Sequence, residues 1–316
     1  MTTHSSGVPP APHAPTLGLT HRLLGRFHVT GVFWYRFPYW ACTRLPAWID
    51  APVIVVFTTF FFLALGRIRK AIASNLEPVL GRANLWTRWS RAVRTMYVFA
   101  WCLAERYRRV VAPERFEAVL DGEENWREIV ESERGVVLVT AHIGPWENAV
   151  RFGAAEARKR THVVRETEID PRAQEFVREM LAEAGDDCIT HFAVDDPALG
   201  VELVKALGQG DIVALQGDRP RTGGRTVEVD LFGRPFPLPI GPTALARAAG
   251  VPLVPVFNFR DGRFRLRSVV RPAIHVARTS DRDADIADGV RRLGAEIEWA
   301  IRERPHQWFC FKQLWS

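Results

Sequence analysis

The sequence predicts an α/β fold: a mostly parallel central sheet flanked by helices, preceded by an N-terminal helical layer that docks on a membrane. Three observations predict it. Beyond about residue 117, short β-branched runs alternate with helical stretches of ten or more residues, the pattern of a parallel sheet covered on both faces. Ahead of it, residues 67 to 110 carry helical periodicity, with Ile68, Ala71, Ile72, Asn75 and Leu76 on one side and Arg69 and Lys70 on another. Basic charge is also gathered at one end. Residues 21 to 110 hold fourteen Arg and Lys against Asp50, Glu77 and Glu105, in a chain whose formal net charge is only +6.

Taken in order, residues 1–20 are rich in Pro, Ser, Thr and His and lack the apolar core of a signal peptide, so they are expected to be a disordered tail. Residues 21–110 form a basic, aromatic, helical membrane-associated region. Phe33, Trp34, Tyr35, Phe37, Tyr39, Trp40 and Trp48 sit beside Arg36 and Arg44 and run into the apolar stretch Ala51 to Leu65. Trp, Tyr and Arg next to an apolar run is the composition of a membrane interface. The run falls short of the roughly 20 residues a crossing needs. Two readings stand for it: a helix lying on the membrane, or a helix buried in the core. A second helical run covers Trp86 to Arg109 after Gly81.

No Gly/Ser linker precedes the α/β region, residues 111–316. Phe116 to Val130 reads as helix, Gly135 to Thr140 as a buried strand, Trp146 to Arg158 as helix, Thr161 to Arg165 as strand and Pro171 to Ala184 as helix. Helix Asp196 to Leu207 and strands Ile212 to Gln216 and Thr226 to Leu231 follow, then a Pro-rich loop over 235–242 and a helix over Thr243 to Ala249. Leu253 to Phe259 and Arg263 to Val270 read as strands joined by a turn at Asp261-Gly262, and Asp285 to Arg302 as the last helix.

Several chemistries are disfavoured. The cysteines at 42, 102, 188 and 310 are too dispersed for a zinc site or a disulfide scaffold, and fit a reducing compartment. Neither H-E-x-x-H nor G-x-S-x-G occurs, nor a P-loop, nor G-x-G-x-x-G after a strand. Nucleic acid is a poor partner, because the basic segment is broken by apolar runs instead of presenting a polar surface.

The feature that carries chemistry is Thr140-Ala-His-Ile-Gly-Pro-Trp-Glu147, directly after the apolar strand. Ligands in open α/β sheets gather at the carboxyl ends of strands, where His142 lies. Pro145 suits the first position of a following helix, which puts Glu147 in its first turn, where the dipole favours a carboxylate. A carboxylate on one imidazole nitrogen fixes the tautomer and raises the basicity of the other, which makes a general base. The plainer alternative has His142 bonded to a backbone carbonyl and Glu147 acting only on the helix dipole.

The segment Val137-Leu-Val-Thr-Ala-His-Ile-Gly-Pro-Trp-Glu147 resembles the H-x-x-x-x-E/D block of the lipid A late acyltransferase (lauroyl/myristoyl transferase) family. That family includes phosphatidylinositol mannoside acyltransferases and sits in the lysophospholipid acyltransferase-like superfamily. Other blocks match in order: Ile72 to Leu76, Val163 to Arg165, Ala214 to Arg219, Val229 to Pro235, Pro239 to Thr243, Leu245 to Pro255, and Pro305 to Phe309. They span about residues 67 to 315. Pro145 departs from the pattern, since many relatives carry Asn there.

The resemblance implies acyl transfer from acyl-coenzyme A or acyl-carrier protein to a hydroxyl of a glycolipid or phospholipid, with no tightly bound cofactor and no metal. His142 and Glu147 would be the dyad, with Asp218 supporting the histidine from another strand. Arg165, Arg219 and Arg234 are candidates for anionic substrate groups or the developing oxyanion, since guanidinium matches phosphate bidentately, and Asp218 has the plainer alternative of pairing with Arg219 or Arg221. Trp308 and Phe309 read as core packing, with the lining of an acyl pocket as the alternative. The protein is then expected on the cytoplasmic face of the bacterial inner membrane, peripheral or monotopic, against an anionic surface. A thioester or lipid hydrolase on the same site and a non-catalytic membrane adaptor are the rival readings.

Overall fold

Seven strands share one sheet in a computed structural model that describes residues 31–146, 159–168, 170–183, 188–193, 197–221 and 223–315. In chain order the strands are β1 (Glu117–Asp121), β2 (Val136–Thr140), β3 (Thr161–Glu166), β4 (Cys188–Ala193) and β5 (Ile212–Gln216). A separate hairpin, β6 (Thr226–Leu231) and β7 (Arg234–Pro239), precedes β8 (Leu253–Gly262) and β9 (Arg265–Val270). Helices α1 (Phe33–Arg44), α2 (Asp50–Ala64), α3 (Gly66–Asn75), α4 (Glu77–Leu80) and α5 (Leu85–Val111) come first. Helices α6 (Glu123–Glu131), α7 (Pro171–Glu183), α8 (Pro197–Gly208), α9 (Gly241–Ala249) and α10 (Arg282–Glu303) alternate with the strands.

The sheet order is β1-β9-β8-β2-β5-β3-β4, parallel at every pairing except β8 with β9. The expected mostly parallel sheet is therefore present. Its centre shows why the strand sequences are apolar throughout. Val137 and Val139 of β2 face the larger core cluster with α8, α9 and α10, while Val136 and Leu138 face Trp126 and Ile129 of α6. A strand buried on both faces must be apolar at both parities. Each such side chain contributes about 1.5–3 kcal/mol by leaving water.

Three local expectations change. The stretch 116–130 is not one helix: β1 pairs with β9, Gly122 turns with φ 78°, and α6 follows. Its alternation is hidden because β1 is an edge strand with Glu117, Ala118 and Val119 exposed. The Pro-rich 235–242 segment is largely strand. Pro235, Pro237 and Pro239 alternate with buried Phe236 and Leu238, so proline's missing N–H falls where a two-stranded ribbon needs none. The β8–β9 turn lies at Arg263-Phe264, because β8 continues to Gly262, which pairs with Arg265. Edge strand β4 was not expected. The helix expected over 146–158 falls outside the described residues beyond Trp146.

The N-terminal layer is built on α5. Its 27 residues span about 40 Å, starting where the Asn84 side chain accepts from Thr87 N–H at 2.9 Å. α1, α2 and α3 pack along it. Arg108 ties three helices together. Its guanidinium meets Asp50 at 2.6 and 3.0 Å and donates to the carbonyls of Cys42 (2.5 Å) and Leu45 (2.8 Å). Glu105 joins the layer to the sheet, accepting from Arg260 at 2.8 and 3.0 Å and from Phe264 N–H at 3.1 Å. Buried pairs of this kind fix register more than they add stability.

The apolar stretch at 51–65 is helix α2, and it is not a core helix. With the preceding 3₁₀ turn it gives an 18-residue span, Ala47–Ala64, of mean hydropathy 1.9, only 11% of it buried. By length and composition that span is long and apolar enough to cross a membrane. Ile54 and Thr58 are buried, whereas Trp48, Val55, Val56, Phe60 and Leu63 stand in solvent, as do Leu85 and Trp86 at the start of α5.

Asn75, singled out by the motif at 72–76, ties the far end of the chain to this layer. Its carboxamide donates to the carbonyls of Cys310 (3.2 Å) and Lys312 (2.8 Å), and its Oδ1 accepts from Leu314 N–H (3.0 Å). Asn75→Ala strands those main-chain groups and is expected to lower stability by about 2–4 kcal/mol, read from the denaturant midpoint. A loss under about 1 kcal/mol would show that these bonds are not a structural tie.

Candidate active site

The site is set by how β2 and β5 end. Thr140 is aligned with Gln216, and Gly217 N–H donates to Thr140 carbonyl at 2.9 Å. His142 and Asp218 each lie two residues past that last aligned pair, so both leave the carboxyl end of the sheet at one place. His142 Nδ1 meets Asp218 Oδ1 at 2.7 Å. The Asp218 side chain is 1% exposed and the His142 side chain 23%. Burial by itself would raise the Asp218 carboxyl. The charge on His142 and the Arg219 guanidinium, with the hydrogen bonds from His142, overcome it and hold the group well below the usual carboxylate range. An ionised Asp218 only accepts, so Nδ1 is the nitrogen that donates to it, and in the neutral ring that leaves Nε2 as the acceptor.

The loop bearing His142 is stapled by the C-terminal motif. Gly144 N–H donates to Gln307 carbonyl (2.8 Å), Phe309 N–H donates to His142 carbonyl (2.9 Å), and Ile143 bridges Trp308. Gln307 also clasps the main chain of Arg260, its Oε1 accepting from the N–H and its Nε2 donating to the carbonyl, both at 2.8 Å. Gly144 has φ 54°, and a Cβ there would come within 2.3 Å of Asn258 carbonyl oxygen. Only glycine lets the loop pass that close. The Trp146 ring lies against His142 with centroids 5.4 Å apart, and against Phe309 at 5.9 Å. Trp308 and Phe309 are both buried, as core packing requires.

His142 opens on a cavity of about 820 Å³. The sheet contributes Val163, Arg165, Thr190 and Ala214, and the helical layer contributes Phe37, Ile54, Phe57, Met96, Phe99 and Leu103. The N-terminal helices are thus the roof of the site. Its polar rim includes Arg106, Arg165 and Glu168, with Tyr35 donating to Glu168 at 2.7 Å.

The expected site residues are only partly brought together. His142 and Asp218 are in contact, and Arg165 lines the same cavity. Arg219 is turned inward. It donates to Phe309 carbonyl, and its Nε stands 3.5 Å from Asp218 Oδ2. Arg234 opens β7, opposite Leu231, and is not among the cavity-lining residues. Glu147 lies outside the described residues. Sequence reasoning missed Gln307 and Trp146, although both fall inside matched motifs.

The bacterial lipid A biosynthesis acyltransferase family matches residues 26–316. The chain belongs to that family. Two phosphatidylinositol mannoside acyltransferases from strains of Mycobacterium tuberculosis are 28% identical over 188 residues, covering 57% of this chain and 54% of theirs. The chain therefore spans about half the length of the curated relatives it matches. Among solved structures, the 1-acyl-sn-glycerophosphate acyltransferase PlsC from Thermotoga maritima matches 81% of this chain and 97% of its own at 13% identity, with a TM-score of 0.37. Family membership agrees with the resemblance carried by the motif blocks.

Gly144→Ala is expected to cost about 2–3 kcal/mol of stability, because a Cβ at positive φ must also displace a main-chain carbonyl. Thermal unfolding reads it. A wild-type melting temperature in this variant would mean that the loop tolerates a different path.

Proposed function

We propose that this protein moves a fatty acyl chain from a thioester, acyl-coenzyme A or acyl-carrier protein, to a hydroxyl group of a membrane glycolipid or phospholipid. One observation carries the reading: a histidine paired to a buried, ionised aspartate at 2.7 Å opens on a large, mainly apolar cavity. Family membership supports the same class of reaction.

In this reading His142 Nε2 takes the proton of the acceptor hydroxyl as its oxygen attacks the thioester carbonyl. The new O–C bond forms, the C–S bond breaks, and the imidazolium returns the proton to the departing thiolate. Asp218 holds the tautomer and stabilises the imidazolium. No protein nucleophile is required, because the donor is already activated. Arg165, on the cavity wall, is the candidate for an anionic group of the donor or acceptor. Arg219 steadies Asp218 and the C-terminal segment from inside. Glu147 stays in the proposal on its sequence spacing from His142 and on the motif resemblance.

His142→Ala is expected to lower transfer about 10²- to 10⁴-fold in a protein that stays folded after losing about 1–3 kcal/mol for the stranded Asp218 oxygen, and Asp218→Asn roughly 10²-fold or more. Product is followed as labelled acyl chain entering lipid. Full activity in His142→Ala would remove the base assignment.

Docking on an anionic membrane is the second part of this proposal. Phe60 and Leu63 stand exposed on α2, Trp86 is 83% exposed, and Arg67, Lys70 and Arg82 are exposed nearby in the chain. One face of α2 is committed to the cavity roof through Ile54, Phe57 and Phe61, which favours a helix lying in the interface over one crossing the bilayer. Each basic residue near an anionic surface adds about 1 kcal/mol. The double variant Phe60→Glu/Leu63→Glu should lose co-flotation with vesicles containing anionic phospholipid, and high salt should weaken the wild type. Unaltered flotation of the variant would sink the assignment of this face.

A further inference from the structure

Three sides of the His142 ring meet different surroundings. Nδ1 is closed by Asp218, and Nε2 is the nitrogen left for an acceptor. The ring also rests against the Trp146 indole, centroids 5.4 Å apart with planes at 49°. That indole meets Phe309 on another side at 5.9 Å, and Phe309, itself 2% exposed, meets Phe99 of α5 at 5.1 Å. Imidazole, indole and two phenyl rings form a continuous aromatic wall from the sheet end to the roof helix. Trp146 and Phe99 both line the cavity. The main chain fixes the wall's position, because Phe309 N–H is bonded to His142 carbonyl at 2.9 Å.

We propose that Trp146 is a positioning residue that directs the acyl group to the lipid hydroxyl and away from water; this rests on the acyl-transfer reading above. The Asp218 bond anchors one edge of the imidazole, and contact with the indole limits its rotation about that bond. The indole also occupies space beside the base that water would otherwise fill, and its ring face is apolar. Lipid acceptors enter with their own apolar chains against this wall, whereas water gains nothing from it. When water does take the acceptor's place, its proton passes to Nε2, its oxygen bonds to the acyl carbon, and the C–S bond breaks. The products are then free fatty acid and thiol in place of lipid ester and thiol.

The test follows the fate of the acyl chain. Purified protein is given palmitoyl-coenzyme A labelled in the acyl chain, with and without detergent-dispersed bacterial phospholipids, and free acid, lipid ester and released thiol are measured. Trp146→Ala should raise the free-acid share of released thiol about five- to tenfold, and Trp146→Phe should keep it within about twofold, the range set by an aromatic contact. Without acceptor, Trp146→Ala should also hydrolyse the thioester faster than wild type. A Trp146→Ala protein that hydrolyses no faster, or that loses both products in equal measure, overturns the proposal. Thermal unfolding of both variants separates a collapsed loop from a changed partition. The acyl-transfer reading fails by a different result: wild type and His142→Ala alike in ester formation and in thiol release.

Discussion

Where β2 and β5 end side by side, Thr140 opposite Gln216, the chain leaves the sheet twice at one place, and the two departures carry His142 and Asp218. Parallel pairing sets the alignment, and the apolar side chains of both strands lock it. A slip of one residue would exchange Val137 and Val139, packed against α8–α10, with Val136 and Leu138, packed against α6, and each close-packed face would lose its fit. The contact between imidazole and carboxylate is therefore enforced by the core. Gly217 serves the same end, since a Cβ there would meet Val139 Cγ1 at 2.6 Å.

The second dependency runs through the C-terminal segment. Residues 305 to 315 lie between the sheet end and the helical layer. They bind the His142 loop through Gln307 and Phe309, the β8 main chain through the Gln307 side chain, and α3 through Asn75. The cavity has walls from the sheet and a roof from α1, α2 and α5, so this segment and the Glu105–Arg260 pair hold its two halves in register. A group at residue 75 and one at residue 310 thus bear on the same site, although they touch no part of the reacting centre.

Legibility in the sequence follows locality. The β2 strand and its exit at His142 are readable because four consecutive apolar residues, Val136 to Val139, leave few alternatives to a central strand. Strands β1 and β4 are not: both are edge strands, β1 with Glu117, Ala118 and Val119 exposed and β4 with no buried side chain among its described residues, so the alternation that marks a half-buried strand is lost. The Pro-rich 235–242 stretch reads as loop when proline is counted, and as strand when its parity with Phe236 and Leu238 is counted. At the site, spacing within one loop points to Glu147. Asp218, 76 residues away, enters only through the motif resemblance, since strand order and register are set by the whole sheet. Arg219 shows the same limit. An arginine next to a supporting aspartate reads as an anion binder, yet Phe309 carbonyl and the aspartate itself hold it in place.

Asp218 also explains why the charge sits where the proposed chemistry needs it. One oxygen is engaged by His142 at 2.7 Å, while Oδ2 has no hydrogen-bond partner among the described residues and faces Arg219 Nε, likewise without one, at 3.5 Å. A carboxylate that is 1% exposed would normally take up a proton to escape the cost of burial. Here the His142 and Arg219 charges and the hydrogen bonds from His142 reverse that and favour the ionised form. Because only one oxygen is tied by a short bond, the negative charge is felt most by the imidazole, and most strongly once that ring has become positive. The loose pairing with Arg219 keeps the carboxylate charged without drawing it away. A tight bidentate Arg219–Asp218 pair would instead compete with His142 for the carboxylate oxygens. The unsatisfied oxygen is in this sense part of the site's electrostatic design and not a packing defect.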